Sequence, residues 1–321
     1  MKLDFLYHIP SENEVVHKNG RSVIENGKIQ AALEQAAELI ENADAIVIGG
    51  GSGLSSSCGY EYYHNCDFFE RHFSQYREKY GFTNLFEGLN YVYSMPEERW
   101  SFLAHYIQTM REEPAGEAYR MLQEIVAEKE HFILTTNIDN QFYKVFQKEK
   151  IWAFQGDISF LQCPQPCHDA IYDNLTTVQK MQKNARAYTV SADDIPRCPY
   201  CGRQLSLWVR EETFLEGEEW NWQKQRYQSF LSAHKEHNIV FLELGVGDMT
   251  PSIIKFPFWE MTRNLKNARL ICMNAGETQA PEHIKDKTVM LPMDIAEALH
   301  KLRRMIGEKR CQNAETGKYL L

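Results

Sequence analysis

Ala45-Ile46-Val47-Ile48-Gly49-Gly50-Gly51-Ser52-Gly53 is the stretch that decides the fold of this chain. Four apolar residues, three of them β-branched, run without a polar interruption. That pattern predicts a strand buried on both faces. The glycines that follow let the backbone turn tightly and approach a bound phosphate, with a helix start beyond them adding positive potential. A glycine run alone is a weak signal, because plain tight turns use the same residues.

Working outward, the elements alternate. Ile29, Leu33, Ala36, Ala37 and Ile40 share one face of a predicted helix from Ile24 to Asn42, just ahead of the strand. Further on, the pattern predicts a helix over Glu117–Lys129, a strand over His131–Thr135, a helix over Asn140–Gln147 and a strand over Ile151–Phe154. After a polar, cysteine-bearing region come a helix over Glu218–His237, a strand over Ile239–Leu244 ending in Gly245-Val246-Gly247, and a helix over Ile253–Leu265. Strands over Ala268–Met273 and Lys287–Leu291 and a helix over Asp294–Ile306 complete the chain. Such alternation implies an α/β, Rossmann-like, doubly wound parallel sheet. Tyr60–Tyr106, dense in aromatics and including a helix over Glu98–Arg111, reads as a helical insertion with its own core. Residues 24–156 and 211–306 are expected to form the large domain, with the helical module at about 58–115; residues 307–321 read as a polar tail.

Residues 157–210 carry Cys163/Cys167 and Cys198/Cys201. Two close thiolate pairs complete a tetrahedral four-sulfur site, so this small lobe is expected to fold around structural zinc. Four cysteines leave no open position for a catalytic water. His168, beside Cys167, is a competing ligand; Cys58, Cys66, Cys272 and Cys311 read as ordinary thiols, Cys58 standing nearest the glycine loop. Glu243, inside an apolar strand, reads either as a perturbed buried acid or, as expected here, as a carboxylate at a sheet edge or in a pair. The net charge of −9 weighs against nucleic-acid binding, and no run of eighteen apolar residues suggests a membrane span. Met1–Gly20 lacks the apolar core of a signal peptide, so a cytoplasmic location is expected.

In a doubly wound sheet, ligands bind at the carboxyl ends of strands. Polar or glycine-rich clusters stand at several of them: Gly51–Ser57, Thr135–Asp139, Gln155-Gly156, Gly245–Gly247 and Asn274. Their order resembles the sirtuins, NAD-dependent protein-modifying enzymes. Gly51-Ser52-Gly53-Leu54-Ser55 is similar to their Gly-Ala-Gly-x-Ser loop, and Thr135-Thr136-Asn137-Ile138-Asp139 to their Thr-Gln-Asn-Ile-Asp. Gln155-Gly156 stands where they have His-Gly, followed by the two cysteine pairs, Gly245-Val246-Gly247 and Asn274. The resemblance runs from about Ile24 to Ile306. It implies that NAD, consumed as a co-substrate, lies along Gly51, Ser52, Gly53 and Ser55, with its adenosine end near Gly245, Gly247 and Asn274. Asn137 would then hold the nicotinamide ribose or its attacking water, and Asp139 the nicotinamide end. The plain alternatives are that Asn137 caps a helix starting at Ile138 or Asp139, and that Asp139 serves that helix dipole.

Two departures redirect the expected chemistry. The Pro-Asp-Phe-Arg of the family is replaced by Glu61-Tyr62-Tyr63-His64, and its general-base histidine by Gln155. An amide can orient ribose hydroxyls or an acceptor but cannot take a proton in the useful range. Losing the base should slow acyl transfer by roughly 10²–10⁴-fold. Cleavage of nicotinamide with capture by a nucleophile depends mainly on positioning and electrostatics. The pattern resembles the microbial class M sirtuins. That implies a protein mono-ADP-ribosyltransferase acting on a lipoylated glycine-cleavage-type carrier protein, with an ADP-ribose-removing macrodomain protein as a further partner. An NAD-dependent lysine deacylase and a non-enzymatic NAD-sensing module are the competing readings.

Overall fold

The computed structural model describes residues 23–317 apart from 277 and 279. Helix α1 (Val23–Glu41) leads into β1 (Ala45–Gly50) and the short α2 (Ser52–Ser56). Three helices precede the return to the sheet: α3 (Asp67–Tyr80), α4 (Leu85–Asn90) and α5 (Pro96–Glu112). Then come α6 (Glu117–Val126), β2 (Glu130–Thr135), β3 (Ile151–Ala153), β4 (Gly156–Gln162), β5 (Tyr172–Asp173), α7 (Leu175–Asn184) and β6 (Ser206–Val209). The last stretch is α8 (Glu218–His234), β7 (Ile239–Leu244), α9 (Lys255–Asn264), β8 (Arg269–Met273), β9 (Thr288–Leu291) and α10 (Ile295–Gly317).

Six strands form one sheet in the order β3-β2-β1-β7-β8-β9, every neighbouring pair parallel. From β1 the chain winds outward through β2 and β3; it then returns to β7 and winds the other way through β8 and β9. The order therefore reverses between β1 and β7, whose ends Gly50 and Leu244 are paired. Crossover helices diverge at such a point and leave a crevice above the strand ends. Strand β1 is buried throughout, as its apolar run requires. Ile46 and Ile48 pack with Leu33, Ile40, Leu122 and Leu299 beneath α1, α6 and α10, whereas Ala45 and Val47 face Phe241 and Phe258.

The two insertions share a core. Phe68, Phe69, Phe73, Tyr76, Phe102 and Tyr106 of the aromatic helices are buried in one cluster with Ile158, Leu161, Val178 and Met181 around the antiparallel sheet β5-β4-β6. Sequence reading treats them as separate modules; packing makes them one body.

Other expectations are corrected. No α-helix spans Asn140–Gln147; 3-10 turns cover Phe142–Lys144 and Lys148–Lys150 instead. Asn140 sits at φ 64°, left-handed, so a right-handed helix cannot propagate through it. At the other end, α10 continues through the polar stretch to Gly317. Arg310 explains part of this, pairing with Glu41 of α1 at 3.2 Å and donating to Ile125 O of α6 at 3.3 Å. Met1–Gly20 lies outside the described residues. Among the described residues no helix is long and apolar enough to cross a membrane.

Candidate active site

The Asn137 amide stands at the centre of the crevice. Its Nδ2 donates to Gly51 O at 2.9 Å, to the Tyr119 hydroxyl at 3.0 Å and to Ser55 Oγ at 3.3 Å. Tyr119 and Ser55 hydroxyls lie 2.7 Å apart, and Ser55 Oγ donates to Asp139 Oδ2. With Ser55 committed to the carboxylate, Tyr119 is the donor in the hydroxyl pair. One directed chain of bonds thus runs Asn137, Tyr119, Ser55, Asp139, joining β1–α2, α6 and the segment after β2. Asn137 is itself anchored by its N–H to Thr135 Oγ1 at 3.0 Å, and Thr135 Oγ1 donates to Gly50 O at 2.9 Å. No helix starts at Ile138 or Asp139, so the capping alternatives for both residues fall away. Burial pushes the Asp139 carboxyl above the usual range, opposed by the Ser55 hydroxyl and the Gln141 N–H. Burial likewise lifts the Tyr119 phenol well above its ordinary value, keeping it a neutral donor.

Gly51 and Gly53 lie against the β7 end. A Cβ on Gly51 would meet Gly245 O at 2.5 Å, and one on Gly53 would meet Gly245 Cα at 2.8 Å. The Gly51 N–H donates to Leu244 O at 2.9 Å and the Gly53 N–H to Gly245 O at 3.0 Å. These glycines therefore serve a close crossing of two backbones, and their N–H groups are engaged there rather than turned toward a phosphate. Gly245, at φ 61°, completes the crossing; Gly247 is open, with nothing within 4 Å of its Cβ position. Beside Gly53, a cavity of ≈ 170 Å³ is lined by Ser56, Ser57, Asn274, Ala275, Asp294 and Ile295. Gly53 and Asn274 thus border the same cavity, while Ser52 and Ser55 are not among its lining residues.

Gln155 sits at the turn from β3 to β4. Phe154 N–H donates to Thr135 O at 3.0 Å and Arg210 N–H to Gln155 O at 2.9 Å, which fixes the turn without using the Gln155 amide. Among the described residues no hydrogen bond joins that amide to the Asn137 network. The Arg210 guanidinium lies 4.3 Å over the Phe214 ring and 4.7 Å over Phe154, donating also to Phe154 O.

The thiolate lobe tests well for zinc. The four Sγ atoms of Cys163, Cys167, Cys198 and Cys201 lie within 4.8 Å of one another, with Cys163–Cys201 and Cys167–Cys198 each at 3.6 Å. Tetrahedral sulfurs ~2.3 Å from zinc stand ~3.8 Å apart. His168 is a flanking group: Nδ1 is 3.5 Å from Cys167 Sγ and its ring packs on Tyr200.

Glu243 is neither at an edge nor in an ion pair. It occupies central β7 at 1% exposure, with the Cys272 thiol donating to it at 3.4 Å, and burial lifts it to about 7. Cys58 is packed on Gly116 and its thiol is pushed up by burial, which fits an inert role. The Cys311 side chain lies outside the described residues. Sequence reading missed Tyr119, an ordinary helix aromatic by pattern, and Asp157, a buried acid that burial lifts to about 7. Asp294 also escaped notice; only the topology brings it to the same cavity as Ser56.

No family model matches the chain. It is 33% identical over 282 residues to the Protein ADP-ribosyltransferase of Staphylococcus aureus, covering 87% of this chain and 89% of that protein. It is 28% identical over 288 residues to a Probable bifunctional ADP-ribose hydrolase/ADP-ribosyltransferase of Fusarium oxysporum, covering 84% of this chain and 47% of that protein. Among solved structures, Sir2Tm bound to a propionylated peptide matches 86% of this chain and 98% of its own, at 18% identity and a TM-score of 0.56. A Sir2 homologue–NAD complex matches 86% and 94%, at 13% identity and a TM-score of 0.53. At these identities the solved structures speak for the fold.

Proposed function

This chain belongs to the sirtuin family, and from that premise we propose that it is an NAD-dependent protein mono-ADP-ribosyltransferase that releases nicotinamide. The observation that carries the reading is the bonded chain Asn137–Tyr119–Ser55–Asp139 at the sheet's switch point. NAD supplies a glycosidic C–N bond. Asn137, held by Gly51 O and Tyr119, would orient the nicotinamide ribose; Asp139, half-buried beside it, would serve the nicotinamide end and favour positive charge developing on the ribose. The adenosine end takes the side of the crevice bounded by Gly53, Gly245, Gly247 and Asn274. Zinc, held by Cys163, Cys167, Cys198 and Cys201, supplies lobe structure and no chemistry.

Gln155 decides between transfer and deacylation. Breaking the C–N bond and joining the ribose carbon to an acceptor nucleophile needs no titratable group at this turn, whereas passing an acyl group to a ribose hydroxyl does. The acceptor we propose is a lipoylated carrier protein. The Fusarium relative's name pairs a hydrolase with a transferase, which supports an ADP-ribose-removing protein as a functional partner.

The test is to incubate the protein with NAD and either lipoylated carrier, unlipoylated carrier or acetylated peptide, following nicotinamide release and acceptor mass. Labelling of the lipoylated carrier with little peptide turnover is expected. Asn137→Ala should lower labelling by about 100-fold or more. Gln155→His should raise peptide deacylation, although the missing Pro-Asp-Phe-Arg limits the gain. Robust deacylation by the unmodified protein, without labelling, would replace this reading with the deacylase one.

A further inference from the structure

The polar network described above ends at Asp139, but the next residue starts another. Asn140 is left-handed at φ 64°. Its N–H donates to Asp157 Oδ2 at 3.0 Å, and its Nδ2 reaches Ser159 Oγ at 2.6 Å and Asp157 Oδ1 at 3.5 Å. Asp157 Oδ1 also accepts from the Ser159 N–H at 2.8 Å. Both carboxylate oxygens are thus used, one toward the segment after β2 and one toward β4. The same two segments are tied by the Ile158 N–H to Ile138 O at 2.9 Å.

The far side of this junction is rigid. Gly156, next to Asp157, has φ 78°, and a Cβ there would meet Trp208 O at 1.9 Å. Behind Ser159, Arg111 of α5 donates to Ser159 O, Asp173 and Asn174, each at 3.1 Å. Asn174, fully buried, donates to Ile158 O at 2.6 Å. Asp157 is therefore fixed by the body that the two insertions form, while its other oxygen holds the residue after Asp139.

We infer that Asp157 is a positioning residue for nicotinamide release: by gripping Asn140 in its left-handed conformation it holds Asn137 and Asp139 in register with Ser55 and Tyr119. It touches no reacting atom in this role, and the inference rests on the function proposed above. A local reading also exists, since the bond to the Ser159 N–H is a turn that Asp makes in many loops; that turn alone has no need of the bond to Asn140.

The grip is strongest when Asp157 is ionised, because a protonated oxygen would turn an O–H toward one of the N–H donors. Burial and the nearby Asp139 raise the Asp157 carboxyl, while the Ser159 and Asn140 bonds oppose them. The other groups around it are Tyr106 on α5, and Tyr143 and Lys144 on the 3-10 turn. Both phenols are raised by burial, and Lys144 is held by Met110 O and Glu113 O. That leaves Asp157 as the group raised to about 7.

The experiment compares wild type with Asp157→Asn, Asn140→Gly and Asn140→Val. It reads nicotinamide release from about pH 5.5 to 9, and amide exchange over residues 137–141. Wild-type release should rise with pH through about 7, the value to which Asp157 is lifted. Asp157→Asn should lower kcat on the order of 10- to 100-fold, leave KM for NAD within about threefold, flatten that limb, and speed exchange at Asn140. Asn140→Gly keeps the N–H and adopts the conformation freely, so kcat should stay within about threefold; Asn140→Val cannot adopt it readily and should behave like Asp157→Asn. Should Asp157→Asn fail to fold, the two Asn140 variants decide. A wild-type pH profile and kcat in folded Asp157→Asn, equal kcat in the Asn140 pair, or unchanged exchange would overturn the inference. If the wild type releases no nicotinamide, the functional reading fails, and exchange in the variants still decides whether the grip exists.

Discussion

Gly245 and Gly247 stand two residues apart in one loop, both belong to the proposed cofactor edge, and the structure assigns them opposite sensitivities. A methyl on Gly245 would lie 2.5 Å from Gly53 C and Leu54 N and 2.6 Å from Gly53 Cα. All three are backbone atoms and cannot rotate aside. Gly245 is also left-handed, which costs an alanine about 1–2 kcal/mol. Forcing the two loops apart costs a further 1–3 kcal/mol or so. Gly245→Ala should therefore lose about 2–5 kcal/mol, against a total of roughly 5–15. In a protein of this size that lowers the melting temperature by roughly 5–15 °C. Gly247→Ala meets nothing within 4 Å and should melt within about 2 °C of wild type. Thermal melts of the pair, with NAD titrations of each, make the comparison. If NAD runs past Gly247, Gly247→Ala weakens its binding while stability holds. Equal melting temperatures for the two variants would refute the view that the glycine loop is kept for a backbone crossing. The same geometry makes Gly53→Val a poor probe of cofactor binding alone, since its branched side chain strikes Gly245 first.

Two further outcomes follow from buried chemistry. Protein purified without chelator should carry one zinc, and Cys198→Ala should lose it together with several kcal/mol of stability, loosening α5 and α7 as well because they share the lobe's core; elemental analysis without zinc would defeat this. Glu243, lifted to about 7 by burial, binds its proton more tightly folded than unfolded. That proton-linked stability is fully present below the ordinary carboxylate range and is lost as pH rises through about 7, with a span of roughly 3 kcal/mol. Glu243→Gln has no proton to lose, so it should be more stable than wild type at pH ~8 and lose that part of the slope; an unchanged slope in urea unfolding would count against it.

The alternation of apolar strands and amphipathic helices made the sheet legible, because burial on both faces leaves a pattern that few other structures produce. Ile239–Leu244 is the strand read from sequence to the residue. The cysteine spacing announced its cluster for a similar reason: thiolates three and four residues apart converge whatever surrounds them. What stayed hidden depends on partners distant in the chain. Asn140 looks like the opening of a helix until Asp157 is seen to hold its N–H. Glu243 looks out of place in a central strand, and periodicity carries no information about which strands lie in the centre. Tyr119 repeats as one more apolar position on α6; its hydroxyl matters only because β1 and β2 bring Ser55 and Asn137 to it. Nor does any local signal show that the aromatic helices and the zinc lobe bury one core together.

The charges at the crevice argue for its polarity on the proposed reading. Asp157 is buried and Asp139 half-buried; desolvation raises both carboxyls, and Asp139 raises Asp157 further. Lys144, the cation near them, spends its N–H groups on Met110 O and Glu113 O at the end of α5. The Asn137 end of the edge thus sets two desolvated carboxyls beside a cation whose N–H groups are spent elsewhere. A pyrophosphate there would face repulsion in a low dielectric, whereas a ribose gaining positive charge as its C–N bond lengthens would be stabilised. Toward Gly53 the lining changes to hydroxyls and amides, with Ser56, Ser57 and Asn274 around the cavity and Asp294 able to accept from sugar hydroxyls. Nicotinamide ribose at Asn137 and adenosine beyond Gly53 is the orientation these charges favour. The pyrophosphate lies between the two ribosides in either orientation, so the reversed one would instead set the adenosine ribose, which gains no positive charge in the reaction, against the two acids, and Asp139→Asn would then leave the release of nicotinamide unchanged rather than slow it.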